Sequence, residues 1–307
     1  MSFVSIILTC YNGSQWISRA IQSILSQTYK EFELIIVDDG STDGSKAIID
    51  PFLKDKRVRY VYQKNRGFSS AINTGIRVSK GNLIGFIGQD DLWVNNKLEL
   101  QIKYFADHMN MHLVYSNYYY IDSDERIINM VRSRNPIFFS KKELINNLFL
   151  ENFIGFETVL VKKECFDEVG FFDERMIACS DHDIWLRIAE CFNIGYIDQF
   201  IVKKRQHKSQ LSRNMEIVVR DEFLIVKNAT EHYPSLKVVE RAKIASLYYI
   251  WAIFLLRKGN IEAAKQKLLA VIRYQPWKLK AIMVYLLPVL YLKVSNLHQA
   301  LGFQQLS

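Results

Sequence analysis

The chain has 307 residues, of which 49% are hydrophobic and 23% charged. That size fits one large or two ordinary domains, and the composition excludes a disordered, collagen-like or low-complexity chain. The net charge of +8 conceals an asymmetry: residues 201–307 carry 18 Lys and Arg against 6 Asp and Glu, a net of +12, whereas the first 200 carry 22 against 26, a net of −4.

Phe3–Thr9 is an apolar, β-branched run that reads as a buried strand entering the loop Cys10-Tyr11-Asn12-Gly13. No basic stretch precedes it, and it is too short for a signal peptide. Trp16, Ile17, Ala20, Ile21, Ile24 and Leu25 recur at helical spacing and place a helix over Ser14–Gln27. Phe32–Val37 is a second buried strand, closed by Asp38-Asp39-Gly40. A helix over Ser45–Leu53, a strand over Val58–Tyr62 and a helix over Ser69–Val78 follow. Leu83–Ile87 is a strand that runs into Gln89-Asp90-Asp91, then come a helix over Val94–His108 and a strand over Leu113–Ser116. This alternation predicts βαβ units and a mainly parallel sheet with helices on both faces.

Beyond residue 116 the pattern is mixed. Tyr118–Ile121 and Ile127–Val131 pattern as a hairpin, Thr158–Val161 as a strand and Asp181–Cys191 as an amphipathic helix. From Met215 the pattern is helical throughout. Leu247, Ile250, Trp251, Phe254 and Leu255 share one stripe, Gly259-Asn260 turns the chain, Ile261–Tyr274 is the next helix and Pro276 stops it. No second copy of this helical pair recurs at its period, which argues against a repeat array. Ala281–Leu292 is apolar but only about half the ~20 residues of a spanning helix, and Pro288 interrupts it. A core helix and an in-plane membrane contact both fit it. Cys10, Cys165, Cys179 and Cys191 stand far apart with no paired spacing. They read as reduced thiols in a cytosolic protein, without a thiolate zinc site.

In open α/β sheets ligands gather beyond the carboxyl ends of the strands, and the polar clusters fall there: Thr9–Asn12, Asp38–Asp43 and Asp90-Asp91. Asp38-Asp39-Gly40-Ser41-Thr42-Asp43 offers carboxylates to a base N–H or to ribose hydroxyls, and equally suits a turn and helix cap. Two adjacent carboxylates at Asp90-Asp91 repel unless a cation or partner compensates them. Mg2+ or Mn2+ held by one or two carboxylates plus substrate phosphates would do so; a helix cap is the alternative. Asn65-Arg66-Gly67 opens a helix and suits a phosphate or sugar, although a capped helix explains it as well. Asp181 and Asp183 start a helix, where the helix dipole alone favours acids. Arg205–Arg213 is a basic, polar segment with a single histidine, His207.

Taken in order, Val4–Asn12, Val37–Asp43, the Asn65…Gly67…Ala71…Asn73…Gly75 spacing, Asp90-Asp91, Gly170–Glu174 and Asp181–Arg187 resemble the motifs of family 2 glycosyltransferases over about residues 1–213. The resemblance implies an α/β GT-A fold over residues 1–213, followed by an all-helical appendage over residues 214–307. It implies an inverting enzyme that moves a sugar from a nucleotide-sugar, taken as a UDP-sugar, to a glycan or lipid-linked acceptor in cell-surface polysaccharide synthesis. Thr9, Tyr11 and Asp39 would hold the base and ribose, with Asn12, Asn65, Arg66, Gly67 and Asp90 also at the nucleotide-sugar. Asp91 would be the metal-binding carboxylate of a DxD-type motif for Mn2+ or Mg2+, His207 would lie near the metal and diphosphate, and Asp181 would be the catalytic base. Two positions depart from the family pattern. Gly88 stands where the first acid of Asp-x-Asp-Asp is usual, and Ser180 stands where a glutamate often precedes the base.

A nucleotidyltransferase would carry a basic phosphate loop after the first strand, but no Lys or Arg occurs there before Arg19. A helical interaction or nucleic-acid-binding protein on an inactive transferase scaffold is the alternative from another class. The basic C-terminal third shows no recognition motif, so no nucleic acid is expected. An anionic membrane surface is the expected partner of that charge, with the protein cytoplasmic and peripheral on the inner face. A homo-oligomer is left open.

Overall fold

Strands β1 (Val4–Cys10) and β2 (Phe32–Asp38) are buried at every position, as unbroken apolar runs require when both faces of a sheet are covered. The computed structural model describes residues 2–207, 210 and 213–288, and the chain divides into two compact units between residues 211 and 212. In the first unit β2 pairs in parallel with β3 (Val58–Tyr62), and β1 pairs in parallel with both β2 and β4 (Leu83–Gly88). The register sets Thr9 opposite Val37 and Gly88, and Cys10 opposite Asp38. The carboxyl ends of these strands therefore form one edge. Helices α1 (Ile17–Leu25), α2 (Ser45–Ile49) and α3 (Phe68–Val78) are the crossovers. α2 gives way to a 3-10 turn over Asp50–Lys54, where Pro51 lacks the N–H an α-helix would use.

The rest of the sheet is mixed. Its further strands are β5 (Leu92–Trp93), β6 (Leu113–Ile121), β7 (Ile127–Val131), β8 (Leu160–Lys162) and β9 (Ile194–Arg205), in the order β3-β2-β1-β4-β8-β6-β9-β5 with β7 on β6. β8 runs antiparallel to β4 and β6, β5 antiparallel to β9, and β6 parallel to β9. The half formed by β1 to β4 is thus parallel, as the alternation predicts, and antiparallel pairings enter beyond β4.

Several boundaries differ from the sequence reading. The helix expected over Val94–His108 is α4 (Lys97–Asp107). Leu92-Trp93 is a strand against Val202-Lys203, so Asp90-Asp91 does not cap that helix. The strands expected at Leu113–Ser116 and Tyr118–Ile121 are one, with its register broken against β9 at Ser116–Tyr118. The expected hairpin of β6 with β7 is present. α5 (Lys141–Leu150), α6 (Glu164–Val169) and β9 carried no recognised pattern. α5 did hold a readable signal, because Ser140 and Glu143 form a reciprocal capping box. The middle of β9, at Asp198 and Gln199, is exposed and polar and looks like a loop in sequence.

α7 (Ser180–Cys191) is fixed by an aromatic core. The fully buried Trp185 ring lies 6.1 Å from Phe86 on β4 and 5.9 Å from Phe172. The second unit holds α8 (Met215–His232), α9 (Lys237–Arg257), α10 (Ile261–Tyr274) and α11 (Leu279–Leu286), with a core that includes Ala252, Leu256, Ala264, Leu268 and Val284. Gly259, at φ +78°, makes the turn between α9 and α10. Residues 289–292 of the apolar segment lie outside the described residues. Among the described residues no helix is long and apolar enough to cross a membrane.

Because Trp185 anchors the helix that carries Asp181, Trp185→Ala should cost about 3–5 kcal/mol of unfolding free energy. Denaturant unfolding checks this. A loss below about 1 kcal/mol would mean that the aromatic cluster does not hold α7.

Candidate active site

The loop after β1 is stitched to the loop after β2. The Asn12 N–H donates to Ser41 Oγ (3.0 Å), and Asn12 Oδ1 accepts from the Thr42 N–H (2.8 Å). Gly13 N–H donates to Ser45 Oγ and Ser14 N–H to Asp43 Oδ2, each at 2.9 Å. Burial works to raise the Asp43 carboxyl, but the donors on Ser45 and Ser14 prevail and hold it at about 2. Asn12 sits at φ +50°, which asparagine tolerates better than most residues. Thr9 is buried, whereas Tyr11 is half exposed, with its ring at the surface.

Asp39 is 4% exposed and accepts three donors from the segment between β3 and α3. These are Gln63 Nε2 at 2.7 Å, the Arg66 N–H at 2.9 Å and the Gly67 N–H at 2.8 Å. Its carboxylate shapes the Asn65–Gly67 loop. Gly40 is required beside it: at φ +82°, a Cβ there would stand 2.8 Å from the Asn65 nitrogen. The Arg66 guanidinium pairs with Glu174 at 3.1 Å. Asn73 exchanges hydrogen bonds with the Phe172 backbone, so α3 holds the segment that carries Glu174.

Gln89 joins two loops: its side-chain amide accepts from the Tyr11 N–H at 2.8 Å and donates to the Tyr11 carbonyl at 3.1 Å. Next in the chain, Asp90 Oδ2 lies 2.7 Å from His207 Nε2. Asp91 is buried, and its Oδ1 accepts from the Arg205 N–H at 2.8 Å. Burial, then the charges of Asp90 and Glu157, push the Asp91 carboxyl well above the usual carboxylate range against the opposing pull of Lys204. The absent acid at Gly88 has a steric counterpart, since a Cβ there would lie 2.9 Å from Asp90 Oδ1 and 3.3 Å from Asp91 Oδ2.

Asp181 sits in the first turn of α7. It accepts from Asn152 Nδ2 at 3.1 Å and from the His182 N–H at 2.9 Å. Burial raises its carboxyl to about 6, helped by Glu157 and opposed by Lys204 and His182. Ser180, in place of the usual glutamate, is buried, and its hydroxyl has no hydrogen-bond partner among the described residues. The structure thus joins Tyr11 to Gln89, Asp39 to Arg66 and Gly67, and Asp90 to His207. Asp91 and Asp181 have separate hydrogen-bond partners. Sequence reasoning missed Gln89, Glu157 and Lys204. Glu157 and Lys204 form a 2.9 Å ion pair whose field reaches both acids.

A mixed sheet with helices on both faces and acids gathered at its strand ends is the architecture of a GT-A glycosyltransferase. The model of the family described as glycosyl transferase family 2 matches residues 5–170. An uncharacterised glycosyltransferase of Rickettsia prowazekii is 30% identical over 251 residues, which cover 76% of this chain and 77% of the relative. The UDP-Glc:alpha-D-GlcNAc-diphosphoundecaprenol beta-1,3-glucosyltransferase WfgD of Escherichia coli is 31% identical over 215 residues, 69% of this chain and 80% of the relative. The chain belongs to glycosyltransferase family 2. Its fold is also that of the mannosyltransferase PcManGT from Pyrobaculum calidifontis, solved with GDP-Man and Mn2+. That likeness has a TM-score of 0.65 at 18% identity and covers 97% of this chain and 81% of that one.

A carboxyl raised on folding favours the folded state below its unfolded pKa, and that contribution is lost as pH rises through the folded value of about 6. Asp181→Asn, which removes this half-buried charge, should therefore melt higher than the parent at pH 7.5, with the gap closing toward pH 4. Melting curves across that range check it. A variant less stable than the parent at pH 7.5 would contradict the raised carboxyl.

Proposed function

We propose that the chain is an inverting, divalent-metal-dependent transferase. Its donor is a nucleoside diphosphate sugar, read as a UDP-sugar, and its acceptor is a glycan or lipid-linked glycan in cell-surface polysaccharide synthesis. What supports this reading is buried Asp91 just past the end of β4, and Asp181 at the start of α7 raised to about 6, both under the charges of Glu157 and Lys204. WfgD, a UDP-Glc-dependent glucosyltransferase acting on alpha-D-GlcNAc-diphosphoundecaprenol, supports a uridine donor and a diphosphate-linked lipid acceptor.

Thr9, Tyr11 and Asn12 would receive the base and ribose, with Asp39 acting through the Arg66 and Gly67 backbone it holds. Asn65 and the Arg66 side chain would face the donor. Among the described residues no three His, Cys, Asp or Glu side chains gather to hold a metal. Asp90, Asp91 and His207 nevertheless fit a hard cation that completes its shell with substrate phosphates. The buried Asp91 carboxylate and the half-buried Asp90 carboxylate that repels it are the groups such a cation would relieve. When bound, Mg2+ or Mn2+ supplies neutralisation of the charge that develops on the departing diphosphate. Asp91 would be the ligand, with Asp90 orienting His207 beside it. Asp181 takes the proton of the acceptor hydroxyl as its oxygen attacks the anomeric carbon on the face opposite the leaving group. One displacement inverts the centre and requires no covalent enzyme intermediate.

Residues 1–213 would be the catalytic domain and residues 214–307 an appendage that brings it to the cytoplasmic face of a membrane. Trp277, Leu279, Met283, Leu286 and Leu287 are exposed on and around α11, with Lys278 and Lys280 among them. That combination suits an interfacial helix, and each basic residue near an anionic bilayer contributes roughly 1 kcal/mol.

Thermal shift of the full chain with UDP-Glc, UDP-GlcNAc or GDP-Man, each with Mn2+, should single out the donor, since binding to the folded state raises the melting temperature. With that donor, Asp91→Asn should abolish metal-dependent transfer, and Asp181→Asn should lower turnover at least ~10²-fold with donor affinity kept. Wild-type transfer by either variant would refute the assignment of that residue. Separately, the full chain should sediment with vesicles containing anionic lipid at low salt, and Met283→Glu with Leu286→Glu should prevent it. Failure of the parent chain to sediment under any salt condition would end the membrane reading.

A further inference from the structure

Trp16 is the residue before α1 and is rooted in the first loop. Its N–H donates to the Gly13 carbonyl at 2.9 Å, and the Gly13 N–H is tied to Ser45. Helical spacing groups Trp16 with Ile17, Ala20 and Ile24, but those three are buried in the core and Trp16 is only half-buried. Its ring lies against the end of β9 instead. The His207 ring stacks on it with 6.3 Å between centres and 27° between planes, within the range of offset aromatic pairs. The Arg205 guanidinium lies over it at 4.3 Å, a cation–π distance.

His207 is held at its backbone and at its ring. Gln210 bridges the backbone on either side of Gln206: its amide donates to the Arg205 carbonyl, and its oxygen accepts from the His207 N–H at 3.4 Å. The imidazole Nε2 lies 2.7 Å from Asp90 Oδ2. A hydrogen bond at one ring nitrogen sets one point of an imidazole and not its plane. A stacked ring sets the plane.

We propose that Trp16 is a positioning residue for the donor's diphosphate and its cation. The indole holds the plane of the His207 ring, and so joins the loop after β1 to the end of β9 around one ligand. This rests on the reading of His207 as a residue beside the metal and diphosphate. Arg205 does not depend on the indole for its position, because the Asp90, Asp122 and Ser123 carbonyls and Glu125 hold its guanidinium. Removing the indole therefore acts on His207. A tryptophan that only filled space would support the loop after β1, and its loss would weaken nucleotide binding with or without metal.

The test is the Mn2+ affinity of the full chain at saturating UDP, read by electron paramagnetic resonance of free Mn2+, in a double-mutant cycle of Trp16 and His207. Trp16→Ala should weaken Mn2+ binding about three- to tenfold, the worth of an aromatic pair. Trp16→Phe, which keeps a ring, should stay within about twofold of the parent. In a His207→Ala background, Trp16→Ala should cost less than about twofold more. Metal-free UDP affinity, measured by calorimetry, should change less than about twofold in each Trp16 variant. Trp16→Leu takes the place of Trp16→Ala if the latter does not fold. Additive effects of the two substitutions, parent-like Mn2+ affinity in Trp16→Ala, or an equal loss of metal-free UDP affinity would overturn the positioning role alone. If the parent binds no Mn2+ with UDP present, or His207→Ala binds it as the parent does, the reading of His207 fails and the proposal fails with it.

Discussion

Arg205 is fully buried, and every part of it is engaged. Its N–H holds Asp91 Oδ1 at 2.8 Å and its Nε holds the Asp90 carbonyl at 3.0 Å. Nη1 donates to the carbonyls of Asp122 and Ser123, Nη2 reaches Glu125 at 3.2 Å, and the guanidinium lies over the Trp16 ring. A buried guanidinium left without partners would be very costly, and these contacts offset that cost. They join the end of β4, the end of β9, the β6–β7 turn and the start of α1. The two acids at the β4 terminus owe their position to this junction, and the remainder of the site is arranged around them.

The sequence made the parallel half of the sheet legible because its strands are buried on both faces and read as continuous apolar runs. The acids at their ends stood out because nothing in an apolar strand explains Asp90-Asp91. What stayed hidden depends on contacts between residues distant in sequence. β9 contains an exposed polar stretch at Asp198 and Gln199 and is made a strand by pairing with β6. Glu157, an acid in an apolar segment, and Lys204, beside other basic residues, drew no reading from the sequence. Only the fold reveals that they are paired. Asp39 read as a group for the nucleotide, whereas its carboxylate is committed to the Gln63, Arg66 and Gly67 donors. It can influence a ligand through the loop it holds.

The two departures from the family pattern have local explanations. At Gly88 the space a side chain would need is taken by the Asp90 and Asp91 carboxylates. Beside it, Gln89 ties the Tyr11 backbone to the acidic loop, a connection of the first loop to the β4 end that a shorter side chain could not make. Ser180 leaves its hydroxyl buried next to Asp181, without a hydrogen-bond partner among the described residues. The electrostatic surroundings of Asp181 therefore come from Lys204, Glu157 and His182. This arrangement adjusts a carboxyl to about 6 by burial first and by opposing charges second, which suits a group that must be ionised near neutrality and still accept a proton.

In the proposed reaction the protein offers a cation too few ligands of its own and a diphosphate completes the shell, so the two ligands must bind with positive coupling. Electron paramagnetic resonance of free Mn2+, titrated into the full chain with and without UDP, tests this directly. Mn2+ should bind weakly alone and at least about tenfold more tightly with saturating UDP, with the gain lost in Asp91→Asn. Equal Mn2+ affinity with and without UDP, or a gain that survives Asp91→Asn, would contradict it.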